Sequence, residues 1–347
     1  MDKQELLRKV GSLQQLASVR TLSFAEGRAQ TRAVELVNGP LRFTALADKC
    51  LDVAELSYRG VNFSFLSKPG LQGRNQYDTH GEEALRSIMG GLFFTAGLEN
   101  ICAPCSLGGR DYPMHGRIRT TPAEHLRTDA RWEGGDYVLE IAGEMREAEL
   151  FGENLVLRRS LRTALGEKSF TLSDEIENQS FRDEPLMLLY HINIGYPLLD
   201  EGTRLYLPTR SVTPREELSA PHAACWNVMD APKDNEPEYV FIHEPQPDEQ
   251  GRMSACVVNE RLALGLQISW NTANLPYFME WKSTASGDYV LGLEPANSSV
   301  YGRPLHEERG DLHRIAPFAK EKNELVFTVL DGSEEIAAAV AAIEAVR

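Results

Sequence analysis

Along most of the chain, apolar and polar residues alternate one for one instead of recurring every three or four positions. LALGLQISW (262–270) shows it best: Leu262, Leu264, Leu266, Ile268 and Trp270 fall on one face, and Ala263, Gly265, Gln267 and Ser269 on the other. That period of two belongs to a half-buried strand. The same alternation runs through TRAVELVN (31–38), LRFTALAD (41–48), CLDVAELSY (50–58), YVLEIAGEM (137–145), LVLRRSLRTAL (155–165), SFTLSDEIEN (169–178), YVFIH (239–243) and ELVFTVL (324–330). Gly, Pro, Asn and Asp separate the runs, so a mainly β protein of stacked antiparallel sheets is expected. Helix is expected at the ends. Residues 1–20 form a helical lead-in with capping-box-like starts at Asp2 to Glu5 and Ser12 to Gln15. SEEIAAAVAAIEAVR (333–347) reads as a helix with Ser333 as cap and acids in its first turn. Two stretches, 67–91 and 209–237, follow neither period, and long irregular segments often cover a site. No firm boundary interrupts the pattern, so residues 1–347 read as a single domain.

One run breaks the rule of apolar interiors. In LMLLYHINIGYPLL (186–199), Leu186, Leu188, Tyr190, Ile192 and Ile194 share one strand face; Met187, Leu189, His191 and Asn193 share the other. A cleft lined by strand ends accounts for His191 and Asn193 side by side. A structural histidine with a satisfied hydrogen bond accounts for them equally well. DYVLGLEP (288–295) behaves alike, with Val290, Gly292 and Glu294 on one face and Pro295 ending the ladder after Glu294. A desolvated carboxylate there has its pKa raised into the range of a general base; a surface ion pair is the alternative. DYPMHGRIRTTPAE (111–124) carries His115, Arg117 and Arg119, donors suited to hydroxyls, carboxylates or phosphates, or simply a polar turn. LPYFMEWKS (275–283) sets Trp281 beside Lys282, compatible with sugar binding and common at sheet edges.

Composition narrows the partners. Acidic residues outnumber basic ones 51 to 36, for a formal net charge of -15 over 347 residues. There is no Lys/Arg run to track phosphates, so nucleic acid and anionic membrane are not expected partners. No uncharged apolar stretch approaches the roughly 20 residues that span a bilayer, and the N-terminus lacks a signal-peptide core, so a cytoplasmic protein is expected. The chain has no GxxxxGK[ST] loop, and GGLFFTAG (90–97) lacks the dinucleotide spacing. No HxH or HExxH motif occurs among eight histidines, so no metal or cofactor is expected. The five cysteines include one CxxC, Cys102 and Cys105, read as small buried residues beside a turn rather than a ligand pair.

The segments HGRIR (115–119), YHINIGYPLL (190–199) and WKSTASGDYVLGLEPANSS (281–299), with the strand run DKCLDVAELSYRG (48–60), resemble the galactose mutarotase-like superfamily of aldose 1-epimerases, specifically its bacterial aldose 1-epimerase family proteins. The resemblance covers most of the chain in the expected order. It implies a β-supersandwich and a cofactor-free interconversion of α and β anomers of an aldose. It further implies His191 as general acid, Glu294 as general base, and His115 as a ligand of sugar hydroxyls. Arg117, Asn193 and Lys282 would be further substrate contacts. No aspartate is assigned to the sugar hydroxyls; Asp200 and Glu201 follow the histidine segment. A small-molecule sugar is the expected partner, and a homodimer is compatible with the family. A carbohydrate-binding or sensing protein without turnover is the alternative on the same scaffold.

Overall fold

The computed structural model describes residues 3–25, 30–73 and 80–346. Three large antiparallel sheets build it. Ser18–Phe24, Thr31–Val37, Leu41–Leu46, Asp52–Tyr58 and Val61–Asn62 form a five-stranded meander in chain order. An eight-stranded sheet runs in the order Glu124–Glu133, Asp136–Ala148, Asn154–Ala164, Ser169–Asn178, Lys320–Asp331, Leu264–Asn271, Arg252–Asn259 and Arg204–Tyr206. A six-stranded sheet follows the order Thr209–Pro214, Glu238–Pro245, Tyr277–Ala285, Asp288–Ala296, Met187–Ile194 and Phe93–Leu98.

Alternation explains why these strands stack. In Ser169–Asn178 every second residue is buried, beginning with Phe170 and Leu172. The inner faces of all three sheets meet in one core, with Leu36, Phe43 and Val53 from the first, Leu139, Leu157, Leu172 and Phe327 from the second, and Leu188, Tyr190, Ile192 and Leu293 from the third. Each such side chain contributes roughly 1.5–3 kcal/mol on burial. A polar bolt crosses this core. Arg159 is fully buried and bridges Asp52 and Asp174, each at 2.6 Å. It also donates to Thr95 Oγ1 at 2.8 Å, and the Tyr190 hydroxyl donates to Asp174 at 2.8 Å. Each sheet thus supplies at least one member of the network, which fixes their mutual register.

Several expectations need adjusting. The strand expected from Leu262 begins at Leu264, because 260–263 is a turn with Ala263 in the left-handed region at φ 51. Ser333 is the first residue of the helix Ser333–Glu344, behind Gly332 at φ 101, and does not cap it. A helix absent from the expectation, Gly302–Arg309, is eight residues long and ends at a left-handed Gly310, too short to announce itself by periodicity. At the N-terminus, Lys3–Leu7 is helical and the Ser12 hydroxyl accepts from Gln14 N–H ahead of a single 3-10 turn. The Asp2 part of the first capping box and Arg347 lie outside the described residues, as do 74–79 of the irregular 67–91 segment. No helix among the described residues is long and apolar enough to cross a membrane.

Candidate active site

Every residue of Met187–Ile194 is buried. Leu188, Tyr190 and Ile192 point into the main core, whereas Met187 and Leu189 join a second apolar cluster on the opposite face, where His191 and Asn193 follow them. Neighbouring Asp288–Ala296 pairs Leu189 with Ala296 and Ile192 with Leu293, a register that sets His191 directly opposite Glu294. Nε2 of His191 lies 3.1 Å from Oε1 of Glu294. The strand continues through Pro295 to Ala296 rather than stopping at Glu294.

Aromatic rings enclose His191. Phe94, its cross-strand partner, stacks on it at 4.5 Å between centroids; Trp281 and His115 stand edge-on at 5.4 and 5.6 Å. His115 reaches this position through a strained loop. It sits at φ 58, and the following Gly116 lies so close to Gly97 that a Cβ would come within 2.1 Å of its carbonyl oxygen. Only glycine fits there. Gly97 N–H donates to His115 O, and His115 N–H to Cys102 O. The Cys102 N–H donates to His115 Nδ1 at 3.3 Å, so the neutral ring carries its proton on Nε2. Below the loop, Glu99 pairs with Arg117 and, at 3.3 Å, with Arg110.

Burial drives the electrostatics. Desolvation pushes the Glu294 carboxyl up to about 8; the Arg215 guanidinium opposes this and the Glu238 carboxylate reinforces it. Desolvation likewise holds His191 down to about 4, against hydrogen bonding that favours its charged form. His115 is held well below its ordinary value by burial, His191 and Arg119. At neutral pH the His191–Glu294 pair therefore holds a single exchangeable proton between two adjacent atoms, the arrangement of an acid and base whose pKa values have been driven apart.

The structure brings His191, Glu294 and His115 together. Arg117 directs its guanidinium to Glu99. Asn193 is fully buried, and its amide donates to the His191 carbonyl at 2.9 Å within the same strand. Lys282 is not brought to the His191–Glu294 pair. Strand alternation turns it to the face opposite Trp281, where its ammonium donates to the carbonyls of Cys225, Trp226 and Val228. Asp200 pairs with Arg261 at the surface, and Glu201 is exposed. Cys102 is buried near Glu294, Cys105 half-buried and Cys225 exposed, all as free thiols.

Three residues at the site escaped sequence reasoning. Phe94 lies in GGLFFTAG, where glycine spacing drew the attention. Arg215 belongs to the irregular 209–237 stretch, which resolves into the strand Thr209–Pro214 and the 3-10 segment Glu217–Cys225. Glu238, opposite Ser283 across the sheet, accepts from Trp281 Nε1–H at 2.8 Å. No sequence signal links Glu238 to Trp281, since the two meet only by pairing of distant strands. A separate groove of about 590 Å³ on the eight-stranded sheet, lined by Arg127, Glu140, Arg158 and Glu175 among others, includes none of His191, Glu294 and His115.

The architecture of stacked antiparallel sheets is that of a galactose mutarotase-like fold. Solved structures of that fold superpose over nearly the whole chain. A candidate aldose 1-epimerase from Klebsiella pneumoniae subsp. pneumoniae MGH 78578 matches with a TM-score of 0.91 at 23% identity, covering 100% of this chain and 91% of its own. A galactose mutarotase-like protein from Clostridium acetobutylicum matches at 0.64 and 12% identity, covering 91% and 99%. A galactose 1-epimerase from Lactobacillus acidophilus NCFM matches at 0.56 and 12% identity, again covering 91% and 99%. At these identities the likeness shows the fold. No curated protein matches the chain. The chain belongs to the DUF4432 family, described as a domain of unknown function, whose family model matches residues 28–329.

Proposed function

We propose that this protein is a cofactor-free mutarotase that interconverts the α and β anomers of an aldose or modified aldose. The observation that carries the reading is the buried 3.1 Å contact between His191 Nε2 and Glu294 Oε1, with the two groups shifted in opposite directions. Moving the shared proton from Glu294 to His191 produces a carboxylate base and an imidazolium acid without changing the charge of the site. Glu294 then takes the proton of the anomeric hydroxyl while His191 delivers one to the ring oxygen, and the ring C–O bond breaks. Both groups are now in their resting protonation states. The aldehyde rotates, and closure on its other face runs the transfers in reverse. A positioned proton transfer contributes typically about 10²–10⁴-fold. The Nε2–H of His115 and the carboxylate of Glu238 are available to sugar hydroxyls, and Phe94 and Trp281 offer apolar surface to a pyranose or furanose face.

The test follows anomer interconversion by polarimetry or one-dimensional NMR across neutral, deoxy, phosphorylated and sulfonated aldoses. Wild type is expected to accelerate at least one of them, and Glu294→Gln to bind that sugar without accelerating it. Binding without acceleration by the wild type would overturn the catalytic reading in favour of a sugar-binding protein.

A further inference from the structure

Three chain connections emerge at one end of the eight-stranded sheet: 149–153, 179–183 and 316–319. The pairings Ala148 with Asn154, Leu155 with Asn178 and Glu177 with Lys320 set them side by side. Gln179 N–H donates to Asn154 O at 2.8 Å and Phe318 N–H to Asn178 O at 2.7 Å, tying the loops together. These loops expose large apolar side chains: Leu150 is 83% exposed, Phe151 93%, Phe181 89% and Phe318 55%. Phe181 and Phe318 already pack edge to face, with centroids 5.2 Å apart. Phe151 and Phe318 occupy left-handed backbone at φ 63 and 60, a conformation that bulky side chains rarely adopt. Both strained residues present their rings to solvent, although glycine or asparagine would suit either turn better.

At about 200 Å² per fully exposed large side chain, the four offer roughly 600 Å² of apolar surface, the upper end of what a monomer usually leaves open. We propose that this end of the sheet is the contact surface of a symmetric homodimer. The area fits: a stable interface takes about 800 Å² from each partner, so the four side chains plus a modest polar rim suffice. Exposed charges of both signs, Arg146, Glu149, Arg182, Asp183, Arg314 and Lys320, surround the apolar side chains and supply that polar rim. Several are already paired within the chain, Glu149 with Arg110, Arg182 with Glu184 and Lys320 with Glu175, so the rim carries no strong net sign to oppose a twofold contact through the phenylalanines. Neither His191 nor Glu294 contributes to the patch, so the proposal stands apart from the proposed activity.

Sedimentation velocity from about 1 to 100 µM, the range that distinguishes a stable dimer from a weak encounter, tests it on the wild type and on Phe151→Asn, Phe181→Ser and Phe318→Asn, singly and together. Asparagine tolerates left-handed backbone, and circular dichroism checks the fold of each variant. The wild type is expected to sediment as a dimer and the triple variant as a folded monomer, with each single exchange raising the dissociation constant at least tenfold. Should the triple variant unfold, the single exchanges, each checked for its fold, read the same surface. A wild type that stays monomeric throughout overturns the proposal, and so does a dimer indifferent to all of these exchanges.

Discussion

Glu294→Gln isolates the cost of keeping a carboxyl inside the cleft. Burial raises that carboxyl from 4.5 to about 8. Between these values the folded chain keeps a proton that the unfolded chain has released, so stability falls as pH rises and goes on falling until the folded value is passed. Integrated between about pH 5 and pH 8, the loss is on the order of 3 kcal/mol, from about 1.4 kcal/mol per pH unit over most of that interval. Glutamine keeps the shape and removes the charge, so the variant should lose this slope. His191 works in the opposite direction. It is lowered from 6.5 to about 4, so the unfolded chain takes up its proton first and stability is lost as pH falls through that window. This acid limb should survive in Glu294→Gln. Urea titrations across the pH range, fitted for wild type and variant, measure both limbs. The variant should gain on the wild type steadily above about pH 5, approaching 3 kcal/mol near pH 8. Parallel curves would refute the reasoning, because Glu294 would then ionise in the folded state as easily as in the unfolded one.

If the pair works as a proton-sharing unit, the rate of anomerisation should be bell-shaped in pH, with limbs near pH 4 and pH 8, where burial places His191 and Glu294; a rate rising without limit above pH 8 would contradict it. Phe94→Ala removes the ring stacked on His191 and admits water, so the His191 pKa should move back towards 6.5, visible by NMR titration of its ring protons, with a lower turnover rate. Arg159→Met leaves Asp52 and Asp174 facing one another in the core without their cation; roughly 3–5 kcal/mol of stability should disappear in denaturant titrations, and adding Asp174→Asn should recover part of it. Lys282→Met strips three carbonyls of their donor and should cost roughly 1–3 kcal/mol, yet leave the Michaelis constant of any sugar turned over unchanged.

Much of the architecture is written in local pattern. The period of two in 169–178 or 264–270 marks strands whatever surrounds them, because each strand must put one face into apolar company and the other elsewhere. The same alternation placed His191 and Glu294 each on the less apolar face of its own strand. Their chemistry as lone residues stayed ambiguous, since a buried histidine and a salt-bridged glutamate look identical in a one-dimensional string. Pairing of strands about a hundred residues apart added what the string could not: only the register that joins Leu189 to Ala296 makes His191 and Glu294 neighbours. Lys282 shows the same physics with the opposite outcome, for adjacency to Trp281 in sequence means opposite faces of a strand. The Ser12 cap, the acidic net charge and the run of alternating strands were therefore properties of the sequence alone. The ring enclosure of His191, the approach of Arg215 and Glu238, the Arg159 bolt and the exposed phenylalanines were decided by tertiary structure, because each depends on which distant strands share a hydrogen-bond ladder, and ladder pairing is set by the packing of whole sheets rather than by any short segment.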